Sequence, residues 1–409
     1  MSNRSRRQRS ESGSSETQMA VIDESVHSSN DDLARIHKDE AIRTACDLRD
    51  IDALVSHATT EGGFLRDELR QLAWPILLQS DKDTQNTLLP DSGLPPHRDE
   101  EQVQLDVNRS FVYYPECPDD ELSLKKNALS RVIKQVLRNY PVLCYFQGYH
   151  DIVQVLLLVL GEERSAPAVA RLSLFRIRDY MLPSLSPAVK HLQLIPAIIE
   201  TADKALYQRL SGIRPFFALS ATLTLYAHDI QEYSDIARLF DFLLAWEPVV
   251  SIYLFVAIVL SRRKELLEIP EDEPEMLHFT LSKLPQPLDL EGLISRAVRL
   301  FHDHPPESLS FGAWRKISSY SVLKTTRDIM RTQSMDAALG ILQKQTKQLR
   351  NQERREQFVG FIWSHRRTIG SVAVAVLVGA MSVWIRKRGL DNTILSYLDH
   401  FRVALQARL

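Results

Sequence analysis

Cysteine is scarce: Cys46, Cys117 and Cys144 are the only three in 409 residues. They are too few and too irregularly spaced for a disulfide framework or a zinc site, and they fit a reducing compartment as ordinary packing residues. Charge of one sign is also lacking. Fifty Lys and Arg stand against 52 Asp and Glu, a net charge of −2, which gives no support for bulk nucleic-acid binding, since that normally needs a basic domain or stripe. The N-terminus has no apolar h-region, only Ser, Arg and Glu, so it is not a secretory signal peptide. Sustained β-type alternation is missing throughout, and the fold class expected is all-α. What remains, 44% apolar and 25% charged residues, is the composition of a mostly globular chain with a sizeable core.

Residues 1–40 are rich in Ser, Arg, Glu, Asp and Asn and almost free of aromatics, so they are expected to form a disordered tail. Helical spacing of apolar residues then runs from Glu40 to Ser56 and from Phe64 to Gln79, with Gly62 and Gly63 as the break. Proline and aspartate between Ser80 and Glu101 predict a loop. Leu129, Val132, Ile133, Val136, Leu137 and Tyr140 make the clearest amphipathic stripe, predicting a helix over Glu121 to Tyr140. Further helical patterns cover Pro167–Tyr180, His191–Leu210, Pro215–Ala227 and Asp235–Leu260. The last is strongly apolar, but Asp241, Glu247 and Pro248 interrupt it and the uncharged part is too short for the ~20 residues of a span, so it reads as a buried helix pair.

Residues 307–365 are polar and patchily helical, predicting a linker or juxtamembrane segment. Thr368 to Ile385 is 18 residues without a charge, bracketed by His365-Arg366-Arg367 and Arg386-Lys387-Arg388, with Trp363 and Trp384 near its ends. It predicts a single C-terminal transmembrane helix of ~27 Å, suited to a thin bilayer of the endoplasmic reticulum type. Residues 386–409 form a short tail whose Ile394, Leu395, Leu398, Phe401 and Leu405 suit an interfacial helix. Arg and Lys are balanced on the two flanks and do not set an orientation. An apolar segment so near the C-terminus, with no signal peptide, points instead to post-translational tail anchoring that leaves residues 1–365 in the cytosol.

Two short motifs carry the chemistry. Val103-Gln104-Leu105-Asp106-Val107-Asn108-Arg109 places an arginine at the end of a segment that Val103 and Asp106 can brace. Tyr145-Phe146-Gln147-Gly148-Tyr149-His150-Asp151 puts Gln147 and Gly148 at an exposed turn between two buried helices. Taken singly, such an arginine is more often an ion-pair partner and a Gln-Gly pair more often a turn. His150 and Asp151 read as a polar surface histidine and a helix-start carboxylate rather than as an acid–base pair.

Together the IxxDxxR-like segment and YxQG resemble the two catalytic motifs of the TBC (Rab-GAP) domain family. Leu69-Arg70-x-x-x-Trp74-x-x-Leu77-Leu78 is similar to the family's LRxxxWxxLL opening, and Arg238-Leu239-Phe240-Asp241 to its RxWDxxL helix. The resemblance covers roughly Gly62 to Pro306. It departs from the family pattern at Val103 for Ile, Tyr149 for Met and Phe240 for Trp, none of which removes a catalytic group.

The resemblance implies a two-subdomain helical domain, residues 41–306, that activates a Rab-family GTPase without being an enzyme by itself in the strict sense. Arg109 and Gln147 would be supplied in trans, with Asp106, Tyr145 and Gly148 in support. No cofactor of its own is implied, because the partner carries Mg²⁺-GTP. The C-terminal anchor and the YxQGYHD form of the second motif are similar to the small ER-resident TBC subfamily acting on the Rab of ER-to-Golgi transport. The alternative function is a catalytically silent Rab-binding membrane scaffold.

Overall fold

The stripe beginning at Leu129 becomes the buried face of a helix over Asp119–Asn139, with Asp119, Asp120 and Glu121 in its first turn, where the helix dipole favours negative charge. This computed structural model describes residues 32–81, 88–89, 93–328 and 330–364. In chain order the helices are α1 (residues 32–48), α2 (Ile51–Thr59), α3 (Asp67–Leu78), α4 (Glu100–Asn108), α5 (Asp119–Asn139), α6 (Tyr149–Phe175), α7 (Ser186–Leu192), α8 (Leu194–Ala202) and α9 (Lys204–Leu210). They continue with α10 (Leu219–Leu223), α11 (Tyr233–Ala245), α12 (Val250–Ser261), α13 (Arg263–Glu268), α14 (Pro274–Leu281), α15 (Leu290–Asp303), α16 (Ala313–Lys316), α17 (Val322–Thr325) and α18 (Met335–Ser364). Among the described residues there is no strand.

Among the described residues, those up to Gln345 form one compact unit and 346–364 belong to a second. Within the first, α6 packs against α3 and α5, and α4 against α5, while α12 packs against α8 and α15. Helix α11 touches α2, α3, α6 and α15, joining the two groups. The apolar run at Asp235–Leu260 is the buried pair α11 and α12; every residue from Val250 to Val259 is buried. No helix among the described residues is long and apolar enough to cross a membrane.

The arginine–tryptophan and RxFD signatures meet in the core. The fully buried Asp241 carboxylate accepts from Arg70 Nε at 3.0 Å, Trp74 Nε1 at 2.8 Å and the Phe64 amide at 3.0 Å. Arg238 Nε and Nη2 pair with Glu291 at 2.7 and 2.8 Å, and Nη1 donates to the Ala58 carbonyl at 2.8 Å. Each buried charge thus has a partner that offsets its desolvation, and these residues hold helices together rather than face solvent.

Three expectations change. The tail expected over 1–40 gives way to α1 at residue 32, where Lys38 Nζ donates to Thr60 Oγ1 at 3.0 Å and Arg66 Nε to Asp39 at 2.8 Å, while Ile42, Ala45 and Cys46 are buried; residues 1–31 lie outside the described residues. The loop expected through Glu101 yields to α4 at Glu100, which Arg138 of α5 grips at 2.6 Å. The linker expected over 307–365 is not a linker up to Gln345. Trp314, Ile317, Val322 and Leu323 are buried, Arg178 donates to the Tyr320 carbonyl at 2.7 Å, and Asp179 accepts from His191 at 2.8 Å and from Ser321 and Gln345. The apolar run Thr368–Ile385, with the tail 386–409, lies outside the described residues.

Candidate functional site

Helix α4 ends at Arg109, whose amide caps the helix on the Asp106 carbonyl at 3.2 Å. Val103, Asp106 and Val107 face inward, and Arg109, six residues beyond Val103 and just past the helix's last residue, emerges at the surface. Its side chain is 56% exposed, whereas the Asp106 carboxylate that pairs with it is fully buried. Asp106 Oδ1 also accepts from Gln102 Nε2 at 3.0 Å, and Oδ2 from the Tyr145 hydroxyl at 2.8 Å. A buried anion thus anchors an exposed guanidinium.

Gln147 is exposed on the turn before α6, between buried Phe146 and buried Gly148. Gly148 has φ +100, and a Cβ there would lie 2.6 Å from Thr224 Cγ2, so the position demands glycine for both backbone and space. On the other side the Tyr145 amide donates to Asp99 Oδ2 at 2.9 Å, tying the turn to the residue that precedes α4. Phe146 and Tyr149 pack ring against ring at 5.7 Å beneath the turn.

Arg109 and Gln147 line one cleft of about 610 Å³, whose far wall comes from the α10 region through Leu223, Thr224 and His228. Its near rim, Val112 and Tyr113, exposes apolar side chains next to the arginine. Gln154 holds that rim in place: its Oε1 accepts from the Phe111 amide at 2.9 Å, and Phe111 itself takes φ +60. The cleft presents the Arg109 cation and the Gln147 amide to whatever docks there, on a wall fixed from beneath by hydrogen bonds.

His150 is not the surface histidine the sequence suggested. It is buried, 3.2 Å from the Tyr145 hydroxyl through Nδ1 and 3.2 Å from Asp151 Oδ1 through Nε2. Burial lowers its pKa below the usual histidine value, against the pull of Asp151 and Asp106. Burial and the Asp106 bond together push the Tyr145 hydroxyl well above the usual tyrosine value. At the rim His228 meets Asp151 Oδ2 at 3.1 Å, and that bond raises the pKa of this exposed imidazole. His228, Thr224 and Gln154 escaped the sequence reading because none belongs to either motif: the first two reach the site from a distant segment, and Gln154 sits within the apolar run that opens α6.

Comparison with known proteins places this geometry. The sequence profile of the Rab-GTPase-TBC domain matches residues 67–267, a stretch that contains both motifs and the Asp241 core. The GTPase-activating protein gyp10 of Schizosaccharomyces pombe is 36% identical over 285 residues, covering 68% of this chain and 76% of the relative. Human TBC1 domain family member 20 is 35% identical over 281 residues, 68% of each chain. Among solved structures, the Ypt/Rab-GAP domain of Gyp1p superposes over 61% of this chain and 92% of its own, at 15% identity and a TM-score of 0.49. The chain belongs to the Rab-GTPase-TBC family.

Proposed function

We propose that this protein accelerates GTP hydrolysis by a Rab-family GTPase, docking its cleft over the nucleotide and completing the active site with Arg109 and Gln147. Hydrolysis needs an attacking water in line and compensation for charge developing on the phosphoryl oxygens; positioning and electrostatics supply nearly all of it. A guanidinium stays ionised and grips two oxygens in one plane, which suits Arg109 to the charge. An amide both donates and accepts without titrating, which suits Gln147 to holding the water. Asp106 and Tyr145 brace the arginine, and Gly148 shapes the turn that presents the glutamine. Mg²⁺ and GTP come with the partner. The observation that carries this reading is that the two exposed side chains line one cleft, each fixed by buried neighbours.

The finer reading is that Thr368–Ile385 anchors the protein in the membrane of the endoplasmic reticulum, with the helical domain in the cytosol and the Rab of ER-to-Golgi transport as substrate. The uncharged run between basic flanks supports the anchor. With residues up to Gln345 folded into the domain, the tether shortens to residues 346–367, about 33 Å if helical throughout. Such a tether confines the protein to GTPases of its own membrane and raises their effective concentration. The test is a panel of GTP-loaded Rab proteins with residues 32–364, followed by cargo export from the endoplasmic reticulum in cells overproducing the full chain. Strong stimulation of the ER-to-Golgi Rab and a block of export that weakens when the anchor is swapped for a mitochondrial one are expected. A mitochondrial form that blocks export equally would refute selection by location, and no stimulation of any Rab would leave the silent scaffold.

A further inference from the structure

Beneath the cleft one hydroxyl proton has two acceptors. Tyr145 OH lies 2.8 Å from Asp106 Oδ2 and 3.2 Å from His150 Nδ1. His150 Nε2 is 3.2 Å from Asp151 Oδ1, and Asp151 Oδ2 faces His228 Nδ1 at 3.1 Å. An ionised Asp151 only accepts, so the His150 nitrogen beside it carries a proton. A neutral imidazole has a single N–H, which leaves Nδ1 as an acceptor competing with Asp106 for the Tyr145 proton. If the hydroxyl serves Asp106, its oxygen faces the Nδ1 lone pair. If it serves His150, Asp106 loses a donor and turns its charge more fully on Arg109. An imidazolium at His150 ends the conflict, because Nδ1–H then donates to the Tyr145 oxygen while the hydroxyl donates to Asp106.

We propose that His150, held by Asp151 and His228, is a positioning residue for Arg109 that acts through Tyr145 and Asp106. The proposal rests on the GTPase-activating reading above. A protonated His150 fixes the Tyr145 hydroxyl on Asp106, drawing off part of the carboxylate charge and loosening its hold on the guanidinium. It also places a second cation near Arg109, whose repulsion favours the extended arginine. Both effects act in the same direction, toward release of Arg109 to a partner's phosphates. The charged and titratable groups facing His150 are Asp106, Asp151, Tyr145, Arg109 and His228, with Asp229 beyond His228. Burial together with the two cations outweighs the carboxylates, so the transition falls on the acid side of the ordinary histidine value.

The experiment compares wild type, His150→Gln and Asp151→Asn on a Rab that the wild type stimulates, with the GTPase alone as baseline, over about pH 5.5 to 7.5. In wild type the stimulated kcat should rise about two- to tenfold toward low pH, the range a single hydrogen bond commands, with KM little changed. His150→Gln should flatten the profile, and Asp151→Asn should move the step to lower pH by removing a carboxylate that favours the imidazolium. Independently of any GTPase, ¹⁵N-histidine titration of the protein alone should show the His150 midpoint rising in Arg109→Ala. Identical pH profiles in wild type and His150→Gln, or a His150 titration indifferent to Arg109, would overturn the relay. Absence of stimulation at every pH would refute the proposed function alone, and the titration would still decide the relay.

Discussion

Gly148 shows how tightly single residues are specified around the site. Its φ of +100 strains any L side chain, and the Cβ of an alanine would sit 2.6 Å from Thr224 Cγ2. The backbone cost is about 1 kcal/mol or more, and relieving the overlap adds about 1 to 3 kcal/mol. Gly148→Ala should therefore lower the melting temperature and, by shifting the turn, the stimulated hydrolysis rate. Thr224→Ser, which deletes the opposing methyl but keeps the hydroxyl that bonds Ser220, should restore part of the stability of Gly148→Ala and leave the backbone share lost. A melting series of the single and double variants checks this; no rescue would mean that Thr224 is not what the alanine meets. At this scale the sequence told a good deal about residues inside a motif and little about what lies beneath them. Arg109, Asp106 and Gln147 stand as their spacing implied, because helix period and a glycine turn are local facts. His150 went astray because it is buried against Asp106, 3.8 Å away, which only the fold brings near.

Among the elements, those with a strong period were legible and those whose stability is borrowed were not. Helix α5 was expected over Glu121–Tyr140 and spans Asp119–Asn139, and the apolar run after Asp235 is the buried pair α11 and α12. The segment 307–345 shows no sustained apolar period because its apolar residues fall in short elements, and what holds it is the burial of Trp314, Ile317, Val322 and Leu323 together with the polar pair Arg178 and Asp179 just past α6. Asp179 is fully buried; burial alone would raise its pKa, but the bonds from His191, Ser321 and Gln345 prevail and hold it below the usual carboxylate value. A depressed carboxylate contributes stability above its unfolded value of about 3.9, and that contribution disappears as pH falls through the still lower folded value. Asp179→Asn should accordingly cost about 3 kcal/mol at neutral pH, the range for breaking a buried charged network. The gap between the two proteins should begin to close below about pH 4 and disappear only as pH falls through the lower folded value. Urea unfolding at a series of pH values reads this directly, and a deficit that persists undiminished in acid would show that shape rather than charge docks the segment.

For the whole molecule, the helical domain ends near Gln345, not Pro306, and the proposed anchor lies outside the described residues. The family was legible because its signatures are both structural and exposed: Arg70, Trp74 and Asp241 build the core that sets α3 against α11, while Arg109 and Gln147 emerge from α4 and the turn before α6. The central claim is that those two exposed side chains complete a Rab active site, and an arginine supplied in this way is worth ~10³ to 10⁵ in rate, or ~4 to 7 kcal/mol of barrier. The most direct measurement is single-turnover GTP hydrolysis by the stimulated Rab with wild type, Arg109→Ala, Arg109→Lys and Gln147→Ala, each matched by circular dichroism. Both alanine variants should keep the helical fold and lose nearly all stimulation, and the lysine variant should recover little, since an ammonium lacks the planar fork. Wild-type rates in either alanine variant would contradict the account.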